Sequence, residues 1–136
     1  MAGEVKLIDR LSEVLLVDDN PLQLRVREAV LRNAGFRVSV ATTAASALGM
    51  LRASADRIGV VVTDHVMPDC SGSELVRAIR SENAWLPIVV LSGLPEALPE
   101  YEGLNVAFRA KPLPPTELIE LVRKSLGQAT GQRGAA

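Results

Sequence analysis

Four short apolar runs, each closed by a polar or charged residue, organise this chain. Val14-Leu15-Leu16-Val17 stops at Asp18-Asp19, and Ile58-Gly59-Val60-Val61-Val62-Thr63 stops at Asp64. Ile88-Val89-Val90-Leu91 stops at Ser92, and Val106-Ala107-Phe108-Arg109-Ala110 stops at Lys111-Pro112. Runs that are apolar throughout, without alternation, read as strands buried on both faces, as in a parallel sheet. The segments between them read as helices. Pro21 opens the first, with Leu22, Val26, Ala29 and Val30 as its inward stripe, and Gly35 ends it. A second strand follows at 36–40 and a small-residue helix at 43–53. Ser71 or Ser73 caps the next helix, which turns Leu75, Val76 and Ile79 inward. Pro87 precedes the strand at 88–91, and a proline-broken stretch covers 94–103. A last helix starts at Pro115 and carries Leu118, Ile119, Leu121, Val122 and Leu126. Strand and helix alternate throughout, the pattern of a doubly wound α/β fold. Residues 1–12 read as an N-terminal extension, 13–126 as the domain, and 127–136, small and polar, as a disordered tail.

Composition narrows the class. The chain has 136 residues, 48 % of them apolar, which suffices for one domain with its own core. A net charge of −1 points to neither a nucleic-acid nor a membrane surface. The single cysteine excludes an internal disulfide, no run is long enough to span a membrane, and Met1–Lys6 lacks the apolar stretch of a leader. The expected location is the cytoplasm.

In an open parallel sheet, ligands bind beyond the carboxyl ends of the strands. Asp18, Asp19, Asp64, Ser92 and Lys111 all stand there, so residues up to 93 positions apart are expected to meet in one crevice. Three carboxylates packed together repel, and without a cation one or more of them holds a raised pKa. A hard divalent ion fits: Mg²⁺ takes oxygen ligands, and its charge together with Lys111 brings the site near neutrality.

The residues Val17-Asp18-Asp19-Asn20-Pro21, Asp64-His65-Val66-Met67-Pro68-Asp69-Cys70-Ser71-Gly72, Leu91-Ser92-Gly93 and Lys111-Pro112 resemble those of a response-regulator receiver domain of two-component signalling. The second stretch fits the family pattern Asp-x-x-Met-Pro-x-x-x-Gly at every fixed position. Each motif alone is weak; all four in this order, at strand ends, are specific. The resemblance covers 13–126. It implies a flavodoxin-like (βα)5 fold, a five-stranded sheet in the order 2-1-3-4-5, with a shortened fourth helix. It implies that Asp64 accepts a phosphoryl group from a phosphohistidine on a sensor histidine kinase or a histidine phosphotransfer protein. Asp18, Asp19, Asp64 and the backbone carbonyl of Val66 would hold Mg²⁺ or a similar ion such as Mn²⁺. Lys111 would contact a phosphoryl oxygen, Ser92 would hydrogen-bond another, and Phe108 would turn inward with Ser92 as the switch. The Lys111–Pro112 bond is a candidate cis peptide.

Other residues carry competing readings. Asp18-Asp19 alone is more often a solvated turn or a cap, and the matches at Asp64 and Lys111 overturn that reading. His65, the only histidine, reads as a variable neighbour of the nucleophile rather than a relay histidine or ligand. Cys70 has no neighbour that argues for an activated thiol. Trp85 is expected to cover the core edge near the fourth strand, and Asp69 and Glu74 to be helix-entry acids. Leu24 reads either as a contact to a neighbouring helix or, with Pro21, as a kinase-docking residue. The chain departs from the family at Ser92, where threonine is commoner, and in the short stretch of 18 residues between Ser92 and Lys111, broken by Pro95 and Pro99. That stretch argues against dimers built on the fourth helix and fifth strand. A monomer or weak dimer is expected.

The leading function is therefore a phosphoacceptor signalling domain that controls a partner protein, not a dedicated enzyme and not a direct nucleic-acid or membrane binder. One alternative is a receiver-like interaction module that is not phosphorylated, against which the full set of site residues argues. Another is a phosphorelay intermediate of a hybrid kinase. A phosphohydrolase with an aspartate nucleophile would need a second acid two residues on, and Asp18-Asp19-Asn20 lacks that spacing.

Overall fold

The computed structural model describes the backbone of residues 13–135 and side chains from 13 to 127; the expected extension at 1–12 lies outside the described residues. Five strands alternate with five helices: β1 Glu13–Val17, α1 Pro21–Asn33, β2 Arg37–Ala41, α2 Ala44–Ala53, β3 Ile58–Asp64, α3 Gly72–Glu82, β4 Ile88–Ser92, α4 Pro95–Tyr101, β5 Ala107–Ala110 and α5 Pro115–Ala135. The strands are all parallel, in the order β2-β1-β3-β4-β5. This is the doubly wound, flavodoxin-like sheet expected. β3 and β4 are buried at every position, which is why their sequences show no polar alternation. One core packs Leu15, Val61, Leu75, Val76, Ile79 and Val90 on the α2–α3 side. The other packs Leu16, Leu24, Leu31, Val62, Leu118 and Val122 between the sheet, α1 and α5.

Local chemistry sets the helix ends. The Asn20 side chain accepts from the N–H groups of Leu22 and Gln23, and Pro21 occupies the first turn. Gly35 follows α1 at φ +98°, a conformation that favours glycine. Ser71 and Glu74 form a reciprocal capping box on α3. Asp69 is not the entry acid expected at α3: its two carboxylate oxygens accept from Ala44 and Ala45 N–H at the start of α2, and those bonds hold its pKa below the usual value. The short α4 is a 3-10 helix containing Pro99, in keeping with its two prolines.

Two further expectations fail. The inward face of α1 is not Leu22, Val26 and Ala29, of which Leu22 and Val26 are 72 % and 56 % exposed. It is Leu24 and Leu31, with Leu24 only 6 % exposed. Both sets have helical spacing, and packing on β1 and α5 selects the second even though Arg27 and Glu28 lie between its members. Trp85 is exposed instead of covering the core edge; Leu86, buried next to it, fills that role. The backbone of α5 runs as helix from Pro115 to Ala135, through the segment expected to form a tail.

Candidate functional site

The strand register brings the predicted residues together. Val17 is the partner of Thr63, so Asp18 and Asp64 leave adjacent strands side by side, where the strand order reverses. Ser92 pairs with Ala110 in register, and the Lys111 N–H donates to the Ser92 carbonyl at 2.9 Å. The Lys111–Pro112 peptide is cis.

Carboxylate oxygens of Asp18, Asp19 and Asp64 lie within 4.8 Å of one another. Asp18 and Asp64 are buried, at 1 % and 4 % exposure, while Asp19 faces solvent. This set of hard oxygen donors, two enclosed and one at the mouth, matches the donor chemistry of a divalent cation of the Mg²⁺ type. The Lys111 Nζ lies 2.7 Å from Asp64 Oδ1 and 3.4 Å from Gln23 Oε1. The Ser92 hydroxyl is buried; it donates to the Leu94 carbonyl and accepts from the Leu94 N–H. Val66 presents its side chain to solvent.

Sequence reasoning missed Arg27. Its Nη1 stands 2.8 Å from Asp18 Oδ2 and 3.5 Å from Asp64 Oδ1, with the side chain 17 % exposed. The other Asp18 oxygen accepts the Asn20 N–H at 2.9 Å. Burial, then the hydrogen bond and charge of Asp64, still push the Asp18 carboxyl up to about 6, against the opposing pull of the Asn20 N–H and Arg27. Arg27 is placed inward by the Leu24–Leu31 face of α1. A basic residue three positions after a core leucine was the available signal, and it carries meaning only once the acids across from it are known.

His65 is likewise more than a neighbour of Asp64. It is buried, and its Nδ1 shares a 2.5 Å hydrogen bond with the Tyr101 hydroxyl on α4. Its Nε2 lies 3.6 Å from Glu100 Oε2. Burial raises the Tyr101 phenol further above its ordinary range, so the hydroxyl stays protonated. The Tyr101 ring centroid is 5.5 Å from those of both His65 and Phe108. Phe108, the predicted switch aromatic, is half-buried against that ring. Gly72 is required beneath the contact: a Cβ there would lie 2.5 Å from the Tyr101 hydroxyl and 2.7 Å from the Asp64 carbonyl. Burial raises the Cys70 thiol, as expected of an unreactive cysteine.

Of the two docking candidates, Pro21 is exposed and Leu24 is core. The apolar surface that α1 leaves open is Leu22 and Val26, which with Pro112, Leu113 and Pro115 line a groove of about 380 Å³ beside Lys111. No helix among the described residues is long and apolar enough to cross a membrane.

Comparison with known proteins agrees with this geometry. The chain is 33 % identical over 121 residues to the C4-dicarboxylate transport transcriptional regulatory protein DctD of Pseudomonas aeruginosa, covering 87 % of this chain and 26 % of that protein. It is 29 % identical over 131 residues to the response regulator protein TodT of Pseudomonas putida, covering 94 % and 57 %. The chain thus spans about a quarter and about half of these relatives' lengths. A crystal structure of a response regulator receiver protein from Pseudomonas putida superimposes with a TM-score of 0.78 at 35 % identity, over 84 % of this chain and 97 % of that one. The family model for the response regulator receiver domain matches residues 14–123. With motif, sheet order, acidic cluster and lysine in agreement, the chain belongs to the response-regulator receiver domain family of two-component signalling.

Proposed function

We propose that the domain accepts a phosphoryl group on Asp64 from a phosphohistidine and relays its state to a partner protein. The observation that carries the reading is Lys111 Nζ at 2.7 Å from Asp64 Oδ1, in a crevice holding two further carboxylates. The Asp64 carboxylate oxygen forms the new O–P bond as the N–P bond of the donor imidazole breaks, and that imidazole takes up a proton. Asp18, Asp19, Asp64 and the Val66 carbonyl would hold Mg²⁺, which when bound offsets charge on the phosphoryl oxygens. Lys111 would meet one of those oxygens as a point charge, a reading its 2.7 Å approach to Asp64 supports. Ser92 meets another by giving up its bond to the Leu94 carbonyl, which moves the β4–α4 loop. Phe108 follows inward against Tyr101, so the change is a shift between two packings.

The exposed Leu22 and Val26, in the groove that Lys111 also lines, and Pro21, exposed at the start of the same helix, form the docking strip for the sensor kinase or phosphotransfer protein, in place of the buried Leu24. Any loss of the phosphoryl group to water is slow self-dephosphorylation, not turnover of a substrate, and a cytoplasmic setting suits such a partner.

The test is intact-mass spectrometry after acetyl phosphate treatment, with and without Mg²⁺. The expected result is a gain of one phosphoryl group that requires Mg²⁺ and disappears in Asp64→Asn. Labelling that survives in Asp64→Asn rejects the assignment.

A further inference from the structure

The acidic pocket already contains a cation that the phosphoacceptor reading does not use. One guanidinium nitrogen of Arg27 reaches both buried carboxylates, at 2.8 Å from Asp18 and 3.5 Å from Asp64. With the Asn20 N–H on Oδ1 and Arg27 on Oδ2, each Asp18 oxygen already serves a donor. A divalent ion held by Asp18 and Asp64 must share these oxygens with Arg27 or displace it.

Charge counting gives the sign of the effect. Three carboxylates and Lys111 leave the pocket at −2, which one divalent ion would neutralise. Arg27 reduces that to −1, so the ion-loaded pocket carries an excess positive charge. The 17 % exposure of Arg27 makes the repulsion felt through protein more than through bulk water. Holding the arginine there is inexpensive only while the acids are otherwise unbalanced.

Resting on the metal-site reading above, we propose that Arg27 is a resident counter-cation of the acidic pocket: it pairs with Asp18 and Asp64 in the metal-free protein and must release them for a divalent ion to bind, so it sets the affinity of this chain for that ion. Arg27 is thus a positioning residue; it lowers the affinity for any divalent ion and disfavours tight, permanent occupation.

The test is an NMR-detected MgCl2 titration of the full chain, following the amides of Asp18, Asp64 and Val66. Arg27→Gln should bind Mg²⁺ about tenfold more tightly than the wild type, the size expected for removing a charge at this range in a partly buried site. Arg27→Lys should restore weak binding. Arg25→Gln, on the exposed face of the same helix, should change affinity less than about twofold, because solvent screens it. A merely structural role for Arg27 would loosen the site and weaken binding, the opposite sign. Equal or weaker Mg²⁺ affinity in folded Arg27→Gln overturns the assignment of Arg27 alone. Absence of Mg²⁺ binding in both proteins overturns the metal reading, and this inference with it.

Discussion

On the α1 side of Asp64, charged groups face one another across a crevice that opens to solvent: Asp18, Arg27, Asp19 and Lys111. On the α4 side, a ring packs against a ring, and one buried hydrogen bond joins His65 to Tyr101 above Gly72. The first side can exchange partners without moving the backbone, because ions, water and a phosphoryl group can each replace a charge. The second cannot, because each contact excludes atoms by shape. A receiver needs both: a pocket whose charge can change and a packed wall that must repack when it does.

The packed side should therefore respond most to a single added atom. Gly72→Ala places a Cβ at 2.5 Å from the Tyr101 hydroxyl, 2.7 Å from the Asp64 carbonyl and 2.9 Å from the His65 Cα, and two of those three are backbone atoms that cannot swing away. The expected loss is about 3 kcal/mol in urea unfolding, at the upper end for overpacking. A loss under about 1 kcal/mol would mean that the wall is softer than described and that the contrast between the two sides is wrong.

The two sides also differed in how far the sequence revealed them. The acids and the lysine announced themselves because each ends an apolar strand, and strand ends in a parallel sheet share one edge. Arg27 did not, since a charged residue between Leu24 and Leu31 argues against an inward face; Leu22, Val26, Ala29 and Val30 offered a more apolar stripe, of which the fold leaves Leu22, Val26 and Ala29 to solvent. What turns α1 the other way is the fit of Leu24 and Leu31 between the sheet and α5, a tertiary effect. The His65–Tyr101 contact spans 36 residues and has no local pattern. Asp69 reads as a cap of the helix that follows it, yet it caps α2, because the β3–α3 loop folds back across the sheet edge.

The charged side should show itself in pH dependence. Asp18 rises from 3.8 to about 6 in the folded protein, chiefly by burial. Between those values the folded state holds a proton that the unfolded chain has lost, so this group favours folding at low pH and opposes it as pH rises through about 6. The penalty above that pH is of order 2–3 kcal/mol, with the attraction of Arg27 already included. Asp18→Asn, measured by urea unfolding in EDTA, should thus be more stable than the wild type by about 2 kcal/mol at pH 7.5, with the advantage fading as pH falls towards 4. A variant that is less stable at pH 7.5 would show that Arg27 compensates Asp18 completely.

Removing one oxygen from the packed side gives the smallest expected effect and the finest test. Tyr101→Phe keeps the ring against His65 and Phe108 and deletes only the hydroxyl. His65 Nδ1 then loses its partner inside the protein, while Nε2 still lies near Glu100 at 3.6 Å. Losing a neutral hydrogen bond and leaving a buried group unpaired costs about 1–2 kcal/mol. The ring contact with Phe108 survives, so the core should hold, and the loss should appear as faster hydrogen exchange confined to α4 and the β3–α3 loop. Exchange that quickens across the whole sheet instead would mean that the His65–Tyr101 bond holds the domain together, not just the wall of the site. Exchange unchanged at α4 would mean that Ser73 and Arg77, which bond the Glu100 carboxylate and carbonyl, suffice to hold that helix in place.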